Sequence, residues 1–438
     1  MNGEVLFFDF AFREFLPIIH EAVRRGMRPI MNQPPMRQIL LQEGIAARAY
    51  LEFMDSGDSE YASRQARALA ERFSASVTAE GAAGAFDVED GNLLVSGGGT
   101  LVRQILSTVE NQLLVARITR RLIEMTDLKA VVMRSCMSAG QRVIQEIAMA
   151  RGIPVIELSH GNPPRSSELA GPINTWHMAV LGSREKEILV GRGADPDRIH
   201  LTGGPQFDPL YEDAVRVSKA EARARLDLPM DRPFVVFAGS FNSGRTLHFA
   251  DDGLNLLWSN DLFVEALSRM DPVPLVAVRP HPGEARQQPA RMPTQAELQD
   301  YQRWFAERGI RLMHVDYDSA SLVKEKALLL RAADAVVVQA TSSTLITETL
   351  ILDRPVFKFD YPSGATPSFY EDEDGVITVP DANQLSEQLD RILHDPAFLK
   401  SRLEEARQAL PSLNHGNDGK AALRVVDLVE SLGSSRAA

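Results

Sequence analysis

The chain has 438 residues, 47 Lys and Arg against 59 Asp and Glu, a formal net charge of −12 and 44% hydrophobic residues. That length exceeds one ordinary core and fits two α/β units of about 200 residues each, while the acidic balance speaks against a protein that coats nucleic acid, which needs clustered Lys and Arg. The single cysteine, Cys136, excludes an internal disulfide framework and a multi-cysteine metal site, and suits a reducing compartment.

The opening MNGEVLFFDFAF lacks the basic n-region and small-residue cleavage site of a signal peptide and reads as a first strand. With no apolar run long enough to span a bilayer, a cytoplasmic protein is expected, and docking at the inner face of a membrane stays open. Val5–Phe8 is the strand, Phe12–Arg25 has apolar residues at helical spacing, and Arg28–Met31 begins a second strand. This start is Rossmann-like, but no GxGxxG follows the first strand, so conventional dinucleotide binding has no support.

Ala46–Ala79 reads as helical, and the glycines of Gly81–Gly84 and Gly97–Gly99 read as flexible connections, because they lack the Lys and Ser/Thr of a phosphate loop. Between them Glu89-Asp90-Gly91 is an acidic pair, readable as a general base or as an exposed acidic turn. Leu101–Met125 and Gly140–Arg151 are helices around a strand at Lys129–Met133. Ile153–Leu158 is then a strand that delivers Ser159-His160-Gly161-Asn162-Pro163 at its carboxyl end, where open parallel sheets place ligands. His160 reads either as a proton carrier there or as a histidine that holds a loop. Trp176–Leu181 is the next strand, and Thr202–Asp208, containing Gly-Gly-Pro, closes the first unit. Tyr211–Val217 is expected as an exposed linker, placing the units at 1–212 and 213–438, with the last helices packing back on the first.

Ser218–Glu221 has the spacing of a helix capping box. Pro233–Ala238 is a strand followed by Gly239-Ser240 and a polar loop, a second place where backbone N–H groups cradle phosphate. A helix is expected over about Asn260–Met270. The strand Val273–Val278 ends in Arg279-Pro280-His281-Pro282, whose two prolines stiffen the turn that carries Arg279 and His281. Ile310–Val315 is a strand and Leu322–Ala332 a helix. Ala335–Gln339 is a β-branched run for a strand buried on both faces, and Thr341-Ser342-Ser343 then offers hydroxyls where the next helix begins. Val356–Phe359 is a further strand, Glu371–Asp374 an acidic run expected as a solvated turn, and the chain from Ala382 onward helical.

Taken in order, His160–Pro163, Gly203–Asp208, Arg279–Pro282 and the Ser342-Ser343 turn with Glu348 resemble the two-domain B-type glycosyltransferase superfamily. The CDP-glycerol glycerophosphotransferases, capsule polysaccharide transferases and bacterial sialyltransferases are the nearest in pattern, and nucleotide-sugar 2-epimerases share the fold. The resemblance covers the chain from about Ile153 onward in motif and the earlier part in architecture. It implies two Rossmann-like domains facing a cleft, and transfer of a sugar or polyol phosphate from a CMP-, CDP- or UDP-activated donor to a glycan or lipid-linked acceptor. It implies no cofactor and no metal ion, and the net charge of −12 leads us to expect no nucleic-acid partner. His160 would be the base, and Arg279, His281, Ser342, Ser343 and Thr344 would hold the donor phosphate with Ser240 nearby.

Glu348 would hold ribose hydroxyls, with a solvated helix residue as the alternative. The acidic motif of the sialyltransferases has matches at Glu89-Asp90-Gly91 and Asp251-Asp252-Gly253, and if the first is used, Glu89 or Asp90 replaces His160 as base. The Thr-Glu-Arg-Pro segment of the epimerases is missing, which lowers that alternative. A catalytically silent nucleotide- or glycan-binding component of a synthesis complex is a third.

Overall fold

The structure is a computed structural model that describes residues 3–9, 12–79, 87–88, 91–92, 96–134, 138–159, 161, 176–213, 215–238, 249–279, 303, 305–307, 310, 312–314, 322–339, 343–360 and 368–434. In the first unit the elements are β1 (Glu4–Phe8), α1 (Phe12–Arg24), β2 (Arg28–Met31), α2 (Pro34–Gln42), β3 (Arg48–Ala49), α3 (Asp58–Ala79), β4 (Asp87–Val88), β5 (Gly91–Asn92), α4 (Ser96–Met125), β6 (Leu128–Met133), α5 (Ala139–Ala150), β7 (Val155–Leu158), β8 (His177–Val180), α6 (Ser183–Gly191) and β9 (Ile199–Leu201). The second unit has α7 (Lys219–Arg225), β10 (Phe234–Ala238), α8 (Phe249–Ser268), β11 (Leu275–Arg279), β12 (Leu312–His314), α9 (Leu322–Ala332), β13 (Ala335–Val338), α10 (Thr344–Ile351), β14 (Val356–Phe359) and β15 (Val376–Val379). Three helices close the chain: α11 (Ala382–His394), α12 (Pro396–Leu413) and α13 (Ala421–Ser434).

Two parallel sheets carry all the strands but β4 and β5, in the orders β3-β2-β1-β6-β7-β8-β9 and β12-β11-β10-β13-β14-β15, and β4 and β5 form a separate antiparallel pair. Parallel strands need helical crossovers that cover both faces, which is why β10 (FVVFA) and β13 (AVVV) are apolar throughout and buried at every position. One face of the first sheet packs on α1 and α13, the other on α4 and α5. The second sheet packs α8 and α11 on one face, while a core on its other face includes α9, α10 and α12 and reaches Leu181, Phe207 and Leu210 of the first unit.

Each sheet reverses its direction of growth once, between β1 and β6 in the first and between β10 and β13 in the second. Strands on either side of such a reversal send their following loops apart, and the crevice outside their carboxyl ends is where ligands bind.

The chain returns to the first unit at its end. Val425, Val426 and Val429 of α13 sit in the core with Phe15 and Ile18 of α1. The Gly-Gly-Pro turn is the anchor of this return: Gly204 N–H donates to Asn414 Oδ1 at 2.9 Å, and the Asp208 carboxylate accepts from the Ala421 and Ala422 amides at 3.0 and 2.8 Å, capping α13. Gly203 has φ +81°, and a Cβ there would meet the His415 carbonyl oxygen at 2.8 Å. Burial raises the Asp208 carboxyl to about 6.

Several expectations are corrected. Gly97–Gly99 lie in the first turn of α4, where a long downstream helix propagates through glycines that cost about 1 kcal/mol each against alanine. Within Ala46–Ala79 the structure has the edge strand β3, a 3₁₀ turn at Tyr50–Phe53 and only then α3. The expected linker is exposed only in part: Glu212, Asp213 and Arg216 are exposed, but Val215 is 1% and Val217 8% exposed in the second core, and Arg331 Nε donates to the Val217 carbonyl at 2.6 Å. The helix placed at Asn260 begins at Phe249 and so includes Asp251-Asp252-Gly253.

Candidate functional site

At the second reversal point the strand ends are in register. Ala238 of β10 stands opposite both Arg279 of β11 and Val338 of β13, and Val338 stands opposite Lys358 of β14. One row across the sheet's carboxyl edge therefore holds Arg279 and Lys358 with two small apolar residues between them. Arg279 is 7% exposed and Lys358 6%. Burial lowers the Lys358 pKa, against the opposing pull of Asp372, Asp360, Asp374 and Glu371. Lys358 was not singled out from sequence, since a lysine inside an apolar tetrapeptide carries no local signal of where it ends in the sheet.

Ser343 is the N-cap of α10, its Oγ accepting from the Leu345 amide at 3.2 Å, and Thr344 is the first helical residue. The turn is braced from below. The Tyr370 hydroxyl donates to the Ser343 carbonyl at 3.0 Å and lies 2.7 Å from Thr347 Oγ1. Tyr370 is fully enclosed, and burial drives its phenol well above the usual range, so it stays a proton donor. At the end of β13, Gln339 Nε2 donates to Ser259 Oγ at 3.0 Å and Asn260 Oδ1 at 2.9 Å, tying the strand end to α8.

Glu348 is 1% exposed and pairs with Lys326 of α9, which overturns the alternative of a solvated helix residue. A buried charge needs a partner and Lys326 supplies it. The acidic run at Glu371–Asp374 is corrected likewise: Asp374 is 2% exposed and bound by Arg184 of the first unit. Ser240, His281 and Ser342 lie outside the described residues, as do His160, Glu89 and Asp90. The residues flanking Glu89-Asp90 pair as an antiparallel hairpin, Val88 opposite Gly91.

On both sides of His160 the turn is described. Ser159 Oγ donates to Glu185 Oε1 at 2.6 Å and lies 3.2 Å from the Gly161 carbonyl oxygen, and the other Glu185 oxygen accepts from the Leu181 amide at 2.8 Å. Burial raises the Glu185 carboxyl to about 7, with hydrogen bonds from Ser159 and Leu181 working against it and Glu157 adding to it. Sequence reading missed Glu185 because a glutamate in the first turn of a helix is ordinarily a solvated one.

At the first reversal point, a recess of about 460 Å³ opens between the end of β1, α4 and the start of α5. Phe8, Ser107, Thr108, Asn111, Ser138 and Gly140 are among its lining. Ser138 and Gln141 form a reciprocal capping box at the start of α5, and Gln141 Nε2 also donates to Asp9 at 2.8 Å, so the helix start is closed by its own side chains. Among the described residues no group of three or more His, Cys, Asp or Glu is placed to hold a metal ion.

No protein-family model and no curated protein matches this sequence. Solved structures do. HepE from Anabaena, in complex with UDP, is 11% identical with a TM-score of 0.55, over 98% of this chain and 100% of that one. The UDP-GlcNAc 2-epimerase from Neisseria meningitidis bound to UDP-GlcNAc is 12% identical with a TM-score of 0.54, over 98% and 100%. The wall teichoic acid polymerase TagF is 12% identical with a TM-score of 0.52, over 99% of this chain and 89% of that one. With two parallel Rossmann-like sheets and near-complete coverage of these proteins, the chain has the two-domain B-type glycosyltransferase fold that its motifs resemble.

Proposed function

We propose that the protein is a nucleotide-sugar-dependent glycosyltransferase, in which the unit at 213–438 binds the activated donor and the unit at 1–212 presents a glycan or lipid-linked acceptor. The observation that carries this reading is the second reversal point, where Arg279 ends β11 and the Ser343-capped start of α10 follows β13, at the carboxyl edge on either side of β10. A guanidinium and the N–H groups of a helix start are the groups that stabilise a departing nucleotide phosphate. The neighbours support the same class of ligand: HepE is in complex with UDP-glucose and TagF was soaked with CDPG.

In this reading Ser240, Arg279, His281, Ser342, Ser343 and Thr344 hold the donor phosphates. Glu348, seated one turn into α10, serves the nucleotide side while Lys326 neutralises it. A base takes the proton of the acceptor hydroxyl as its oxygen bonds to the donor carbon or phosphorus and the nucleotide leaves. His160 fits that task through its turn at the end of β7. Glu89 or Asp90 takes it if the donor is CMP-linked. The recess beside Phe8 supplies hydroxyls, an amide and an aromatic face to an acceptor sugar.

The product is a surface polysaccharide, such as a capsule, or a related glycoconjugate, made in the cytoplasm at the inner face of the membrane. No described helix is long and apolar enough to cross a bilayer. A second reading, a nucleotide-sugar 2-epimerase, is favoured by the equal coverage of the Neisseria epimerase. It is distinguished by turnover of UDP-sugar without acceptor.

Thermal unfolding against CMP, CDP, UDP, GDP and their sugar or glycerol conjugates tests the proposal. A ligand at about 100 times its dissociation constant stabilises a single-site protein by about 2.7 kcal/mol, a shift of degrees. A selective shift that His281→Ala abolishes is expected. No shift with any nucleotide removes the donor-site assignment and brings forward the silent component.

A further inference from the structure

The candidate turns on the two sheets are joined through two consecutive residues. Glu185, in the first turn of α6, holds Ser159 at 2.6 Å and so fixes the strand end that precedes His160. Its neighbour Arg184 points into the second unit. Arg184 Nη2 donates to Asp374 Oδ1 at 2.6 Å while Nη1 bonds the other carboxylate oxygen, and Nη1 also donates to the Phe369 carbonyl at 3.2 Å. The next residue, Tyr370, carries the hydroxyl that holds the Ser343 carbonyl at 3.0 Å. A path of short polar contacts thus runs from Ser159 through Glu185, the α6 backbone, Arg184, the 369–374 segment and Tyr370 to the cap of α10.

We propose that Arg184 and Glu185 are positioning residues that set the separation and orientation of Ser159 and Gly161 on the acceptor side against Ser343 on the donor side; the inference rests on the proposed transfer. The form of the contacts favours a geometric role over a purely stabilising one. A buried ion pair adds little net stability against an apolar pair of equal volume. A bidentate guanidinium–carboxylate fork, by contrast, fixes direction as well as distance. Further crossings sit beside it and leave α6 little freedom of its own. The Leu181 carbonyl accepts from the His415 amide at 2.6 Å, and a Cβ on Gly182 would lie 2.0 Å from the Ser412 carbonyl oxygen. With α6 pinned to the α12–α13 junction, a change at Arg184 or Glu185 moves one turn relative to the other rather than moving both together. For reacting groups on opposite sides of a cleft, a misplacement of about 1 Å costs on the order of 100-fold in rate.

The test uses the full chain and the variants Arg184→Gln, Glu185→Ala and the double variant, with three readouts. Nucleotide affinity is expected to fall less than kcat does, because neither residue bonds the donor itself, while kcat for transfer falls by about tenfold or more. The double variant is expected to match the worse single variant, since either change cuts one path. An unchanged kcat, or losses that multiply in the double variant, overturns the proposal. Hydrogen exchange reads the link without any substrate, and so separates its failure from failure of the transferase reading. Faster exchange at the amides of 343–346 in Arg184→Gln and at 159 and 161 in Glu185→Ala supports the proposal. Unchanged protection at both places overturns it, whether or not the protein turns over a nucleotide sugar.

Discussion

The turn after β13 lies at the reversal point of its sheet and the turn after β7 one strand beyond the reversal point of the other; each hangs on a buried group, the first on a phenol and the second on a carboxylic acid. Both braces are buried, and burial raises the pKa of both. For Tyr370 the rise starts from 10, so its proton stays in place throughout the physiological range. For Glu185 it ends at about 7, where the cell itself sits. The turn after β7 is therefore held by a carboxyl shifted into the neutral range, and the turn after β13 by a phenol shifted out of it.

The largest expected effect breaks this comparison at Glu185. Its folded pKa, about 7, lies above the ordinary 4.5, so the folded state holds the proton more tightly than the unfolded chain does. The stability this confers is fully present below 4.5 and is lost as pH rises through about 7, a change on the order of 3 kcal/mol. Glu185→Gln removes that slope. Urea unfolding of both proteins between pH 5 and pH 8 measures it as a gap in stability that changes with pH. Asp208, raised to about 6, contributes a slope of the same sign, and His177, lowered to about 4 by burial, then by His200 and Arg198, one of the opposite sign. Both groups are present in the two proteins and cancel in the difference. Parallel curves would show that Glu185 does not titrate between the two states.

A smaller effect sharpens the donor side. Tyr370→Phe removes one hydroxyl and leaves the Ser343 carbonyl and Thr347 short of a buried partner, at a cost of about 1–3 kcal/mol. Because the phenol does not titrate below pH 10, that loss is expected to be the same at pH 5 and pH 8. The measurement is the same urea series, and a loss that grows or shrinks across this range would remove the contrast between the two braces.

How far this arrangement was legible beforehand depends on the range of the contacts. The β-branched runs of β6, β10 and β13 read as strands because parallel strands are apolar along their whole length. Ser343 read as a cap because hydroxyls before an apolar run mark a helix start. The edge strand β3 did not read, since two residues, Arg48 and Ala49, carry no period. Arg184 and Asp374 are 190 residues apart, and nothing near either announces the other. The same holds for Glu185, whose partner Ser159 lies 26 residues earlier in the chain. Local pattern thus located the turns, and the long-range packing that braces them came only with the fold.

The smallest effect on stability decides what Ser343 does. As a cap it satisfies the Leu345 amide, and Ser343→Ala is expected to cost about 1 kcal/mol. Asp caps as well as Ser and suits the positive end of the helix, so Ser343→Asp is expected to leave stability within about 0.5 kcal/mol of the parent. The two roles part at the ligand. If Ser343 only caps α10, the Asp variant binds nucleotide diphosphate as the parent does. If the start of α10 cradles the donor phosphate, the added carboxylate faces a like charge and nucleotide affinity falls by about tenfold or more, the equivalent of about 1.4 kcal/mol. Titration calorimetry on the nucleotide that gives the largest thermal shift measures this. Folded Ser343→Asp protein with full affinity would take the start of α10 out of the donor site and leave the cations of this edge, Arg279 and Lys358, as the described groups to bind the donor phosphate.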